Sequence, residues 1–152
     1  MIRTIRVKDT KKAQDAGYTV ALITKNASIS DVDEILDMRE LAPSESLLGK
    51  EAALKQIGAW TPKNYSKTYA KEYLKELVNN PKHKIVLNEL YRRSKDGEKI
   101  ALACTCEDPD MCHRSTILGL LQAVGCETIG KEYSPYWLMY RALEVENGKR
   151  NS

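Results

Sequence analysis

The run ALACTCEDPDMCHRSTILGLL, residues 101–121, changes character twice. With the residues before it, EKIALACTC is a continuous apolar stretch, the pattern of a strand buried on both faces. EDPDM is a polar loop. CHRSTILGLLQAVG then places apolar residues at 117, 118, 120, 121 and 124, one face of a helix, with Gly125 just past its end. Buried strand, loop and helix make one unit of an α/β fold.

The flanking sequence extends that unit. TIRVKD and YTVALIT are two β-prone runs separated by a polar stretch, and EILDM at 34–38 is a third short apolar run. Ser44 stands as an N-cap before ESLLGKEAALKQIG, which Gly58 closes. Thr61-Pro62 and Asn80-Pro81 each pair an N-cap with proline at the first helical position. They open helices through YSKTYAKEYLKEL and through PKHKIVLNELYRRSK, the latter stopping at Gly97. Strands alternating with helices predict a Rossmann-like α/β sandwich of two or three layers with a mostly parallel sheet. A single domain over residues 1–152 is expected, with a tail that frays at about 146–152.

Bulk composition narrows the class. The chain is 42% hydrophobic and 30% charged, too apolar for a disordered chain. A net charge of +3 permits an anionic partner without demanding one. No apolar run approaches the roughly 18 residues of a membrane span. MIRTIRVKDTKK lacks the apolar core of a signal peptide, so the expected location is cytoplasmic, without a membrane partner. Cysteines there stay reduced, which argues against a disulfide framework.

In such a fold the functional edge is where strand carboxyl ends meet helix amino ends. Three of the four cysteines and one of the two histidines lie within 104–113, at that edge. Cys112, His113, Arg114 and Ser115 fall in the first helical turn, where unpaired N–H groups favour an anion. The same field lowers a thiol pKa at Cys112, His113 can carry a proton, and Arg114 offers a planar donor fork. Asp110 is placed to cap the helix, while Glu107, Asp108 and Asp110 oppose an anion. Cys104, Cys106, Cys112 and His113 are also enough donors for tetrahedral zinc. Their spacing matches no common knuckle, and adjacent helical residues diverge by about 100°. No cofactor is therefore predicted, with zinc at those four residues as the alternative.

LACTCEDPDMCHRS resembles the signature of the domain of unknown function 488 family. Cys104, Asp108-Pro109 and Cys112-His113-Arg114 carry the likeness. DMRELAPS is similar to a second family element through Asp37, Arg39, Pro43 and Ser44, and YSKTYAKEYLKEL looks like the family's Tyr-rich helix. The resemblance spans roughly residues 30–127 and implies an α/β fold with a pocket. Cys106 stands where the resemblance leads to an acidic residue.

Asp37 and Arg39 share a face at a strand end. Were that strand beside the 99–105 strand, Arg39 and Arg114 would form an anion clamp, with Asp37, Cys104 and Asp108 in support. The leading expectation is thus a pocket for a phosphorylated, nucleotide-like small molecule. Any chemistry there is that of a thiol- and His-assisted hydrolase or transferase, with Cys112 as thiolate and His113 as proton carrier. A nucleic-acid module is the alternative partner reading. It uses Lys63, Lys67, Lys71 and Lys75 as a basic stripe beside Tyr65, Tyr69, Tyr73 and Trp60. Nothing in the sequence indicates the oligomeric state.

Overall fold

The computed structural model describes residues 1–25, 27, 34–106 and 108–129. The expected aromatic tail and its fraying end, and Glu107 of the acidic loop, lie outside the described residues.

Five strands form one all-parallel sheet: β1 (Ile2–Arg6), β2 (Thr19–Leu22), β3 (Leu36–Asp37), β4 (Ile100–Cys104) and β5 (Thr128–Ile129), in the order β3-β2-β4-β1-β5. β4 takes the centre because every one of its side chains is apolar or a thiol, and all five are buried. It pairs with β1 in the register Ile2↔Ile100 to Arg6↔Cys104 and with β2 from Thr19↔Ile100 to Leu22↔Ala103. Such two-sided burial is what an all-parallel sheet requires.

One face carries the main core. Ile2, Ala21, Ile23, Ile100, Leu102 and Cys104 pack there under helices α4 (Ala70–Asn79), α5 (Pro81–Lys95) and α6 (His113–Ala123). The other face is thinner. Ile5, Val20, Ala101 and Ala103 meet Ala13 of the six-residue helix α1 (Thr10–Asp15), with Val7 and Tyr18 alongside. The fold is therefore α/β and Rossmann-like, as the alternation predicts.

The capping signals hold at atomic level. Ser44 Oγ accepts from Leu47 N at 3.3 Å to open α2 (Glu45–Gln56). Thr61 Oγ1 accepts from Asn64 N at 3.2 Å before α3 (Pro62–Asn64), and Asn80 Oδ1 accepts from Lys82 N at 2.9 Å. Gly97 and Gly125 end their helices at φ +90° and +100°, where a side chain is strained. Ser44 has a second task, since its hydroxyl donates to Glu76 of α4 and its N–H reaches the other carboxylate oxygen at 3.1 Å. Ser44→Ala should therefore cost about 2 kcal/mol in urea unfolding, against about 1 kcal/mol for Asn80→Ala. Equal losses would show that the Glu76 contact contributes nothing.

Three local features depart from expectation. Residues 10–15 are helical rather than a plain connector, because Ala13 anchors that short polar segment to the sheet. The third run yields a strand only at Leu36–Asp37. Between α3 and α4 the chain makes a π-helical turn, Tyr65–Tyr69. Among the described residues, no helix is long and apolar enough to cross a membrane.

Candidate cysteine and histidine centre

β4 delivers Cys104 to the carboxyl edge of the sheet, and the loop turns back through Cys106. A 3-10 turn, Pro109–Met111, follows, with Asp108 Oδ1 accepting from Asp110 N at 2.9 Å. Asp108 thus caps this turn. Asp110 does not cap α6 as expected, because the inserted turn places Cys112 at the cap position, where its side chain makes no capping hydrogen bond. Cys112 is extended, at φ −130° and ψ 138°. This backbone overturns the divergence argument, since Cys112 precedes the helix and its thiol points to the same side as the His113 ring.

The result is a compact cluster. One donor atom from each of Cys104, Cys106, Cys112 and His113 lies within 4.8 Å of all the others. Cys104 Sγ is 3.6 Å from Cys106 Sγ and 3.7 Å from His113 Nδ1, and Cys112 Sγ is 4.0 Å from Nδ1. His113 Nε2 lies 2.8 Å from the carbonyl of Ile23, so it carries a proton and donates it there. Tyr73 meets the imidazole edge-on, with centroids 5.8 Å apart, and donates its hydroxyl to the Leu41 carbonyl.

Charge within the cluster is unequal. Hydrogen bonding from Cys106, with help from Cys112 and His113, holds the Cys104 thiol far below its ordinary range. Burial, reinforced by its thiol neighbours, pushes Cys112 up. Burial opposes protonation of His113, but the Cys104 and Cys106 sulfurs outweigh it and raise the ring to about 10. Burial thus disfavours the expected thiolate at Cys112, whereas the neighbouring groups favour one at Cys104. Cys104, Cys106 and His113 line a cavity of about 380 Å³, together with Lys25, Lys55, Glu51 and Tyr69, whereas Cys112 sits behind them.

Arg114 and Arg39 are not brought together. β3 is an edge strand beyond β2, two places from β4 and three from β1. Arg39 follows β3 and forks onto Asp37, with Nε and Nη2 each donating at 2.8 Å, while both side chains stay largely exposed. That hydrogen-bonded pairing lowers the Asp37 carboxyl to about 2. Arg114 is only 4% exposed. Its Nη1 donates to the carbonyls of Cys106 at 2.9 Å and Ile5 at 3.4 Å. Ser115 is fully buried. The helix-start anion site of Arg39, Arg114 and Ser115 therefore has no shared opening.

Tyr65, Tyr69 and Tyr73 are core residues. Tyr65 and Tyr69 stack with centroids 5.2 Å apart, and Trp60 meets both edge-on at 5.5 and 5.2 Å. Lys63, Lys67, Lys71 and Lys75 are exposed, but buried tyrosines cannot serve as a stacking wall beside them. Residues that sequence reasoning missed are Ile23, whose carbonyl orients His113, and Glu76, which holds Ser44. Only the strand assignment of 18–24 hinted at the first.

No curated protein and no solved structure gives a significant match to the chain. A family model described as the active DUF488-N3 subclade, DUF488-N3a, matches residues 2–125. The strand, loop and Cys-His-Arg helix all lie inside that span, and the chain belongs to the DUF488 family.

Proposed function

We propose that the protein binds a zinc ion through Cys104, Cys106, Cys112 and His113, and that this centre floors a pocket for an anionic, phosphorylated small molecule. The carrying observation is the approach of all four donor atoms to within 4.8 Å. Tetrahedral zinc spaces sulfur and nitrogen ligands about 3.5–3.8 Å apart. The separations of 3.6, 3.7 and 4.0 Å sit close to that. Three sulfurs and an imidazole suit a soft cation and disfavour magnesium or calcium. The Ile23 carbonyl keeps a proton on Nε2 and turns Nδ1 toward the sulfurs, where a metal would displace the second ring proton, the usual outer support of a ligating histidine. Four protein ligands make a closed, structural type of site, which would fasten the 105–112 loop to the strand end and the helix start. Above it, Lys25 and Lys55 outnumber the one lining carboxylate, Glu51, and offset the single negative charge that three thiolates leave on a zinc centre.

A second reading has its own observation. Cys104 and His113 both line the cavity while Cys112 does not. A Cys104 thiolate there would attack an electrophilic guest and His113 would protonate the leaving group, which fits a subclade described as active.

Elemental analysis of purified protein separates the two. The zinc reading expects close to one zinc per chain, a sulfur-to-cobalt charge-transfer band on cobalt replacement, and loss of both in Cys104→Ser and Cys112→Ser. Metal-free protein whose Cys104 is alkylated far faster than Cys126 would overturn it in favour of the thiolate.

A further inference from the structure

A second cavity, of about 350 Å³, lies beside α1 and shares no lining residue with the first. Its charged walls are Arg3, Arg6, Lys12 and Arg114 against one carboxylate, Asp9. Two of these guanidiniums are incompletely satisfied. Among the described residues, Nε of Arg3 and Nε of Arg114 are buried without a hydrogen-bond partner. Buried donors are almost always paired, so two orphans on permanently charged groups in one cavity require a reason. Arg114 lacks any ion pair among the described residues, and its Nη1 is fixed by the carbonyls of Ile5 and Cys106. Arg3 is steadied over the Tyr18 ring, 5.5 Å from its centroid. Both forks are therefore held in place before any guest arrives.

We infer that this cavity is an oxyanion site, in which Arg3 and Arg114 bind a phosphate group. Arginine forks match the paired oxygens of phosphate, and a pre-positioned, half-desolvated pair binds it more strongly than mobile surface lysines do. The site stands independently of the zinc centre, although Arg114 touches both through the Cys106 carbonyl. An anion clamp built on Arg114 thus has its partner arginine on β1, not after β3.

Calorimetric titration of the full chain with inorganic phosphate, and in parallel with a nucleoside 5′-monophosphate, tests this. Chloride at matched ionic strength is the control. Saturable binding of either is expected, weakened tenfold or more in Arg3→Met and unchanged in Lys71→Met, an exposed lysine outside both cavities. Tighter binding of the ester would mark an organic phosphate as the guest, and equal binding a free phosphate. Arg3 is only partly buried, so its replacement keeps the test valid should Arg114→Lys fail to fold. Absence of saturable binding, or phosphate affinity in Arg3→Met equal to wild type, would overturn the inference.

Discussion

Chelation of the zinc-loaded protein should lower its melting temperature by about 10 °C or more. The cluster joins the last residue of the central strand to the first residues of α6, elements separated by an eight-residue connection. A metal that binds only the folded chain adds stability by mass action, about 4 kcal/mol when free metal exceeds its dissociation constant a thousandfold. For a chain of this size each kcal/mol moves the midpoint by roughly 2–4 °C. Cys112→Ser should melt near the chelated wild type and no longer respond to chelator. Cys126→Ser, altering a buried thiol outside the cluster, should keep the full response. Scanning calorimetry with and without a strong chelator decides it. A wild-type protein that carries zinc yet melts unchanged after its removal would show that the ion does not fasten the loop.

Tyr73→Ala should remove about 4 kcal/mol of folding free energy, the largest loss expected from a single substitution outside the cluster. The ring is fully buried between α4 and the sheet and braces His113 edge-on. Its hydroxyl holds the Leu41 carbonyl in the turn that leads to α2. Truncation therefore opens a cavity beside His113 and orphans a carbonyl as well. Tyr73→Phe isolates the second effect and should cost about 1–2 kcal/mol. Its ring still supports His113, so cobalt binding should survive in Tyr73→Phe and weaken in Tyr73→Ala. Urea unfolding gives the energies and the cobalt spectrum gives the site. A loss below about 1 kcal/mol for Tyr73→Ala would mean that neighbouring side chains close the gap and that the ring is dispensable.

Sequence carried the local signals and missed the long-range ones. The apolar run of β4 announced its central place because a parallel strand covered on both faces has no polar positions to alternate with. Ser44, Thr61 and Asn80 announced helix starts because each satisfies a backbone donor within three residues of itself. The strand order is set by pairings across the whole chain. β2 lies against β4 and pushes β3 outward, so Arg39 could not be placed relative to Arg114 from spacing alone. The closeness of the four donors was hidden for a narrower reason. Treating Cys112 as helical splayed its thiol away from His113, whereas one residue in extended conformation brings the two together. Nothing local distinguishes Arg3 from an ordinary surface arginine. Its unpaired nitrogen became visible only once β1 and α6 were adjacent.

Among the described residues the outermost strands, Leu36–Asp37 and Thr128–Ile129, are each two residues long. A foreign chain laid against either finds too short a ladder to register on, and at one edge it meets the Asp37 carboxylate. The longer apolar strands that would nucleate fibrillar stacking are all interior. Among the described residues, both margins of the sheet thus offer only a short ladder to edge addition, a standing hazard for exposed strands.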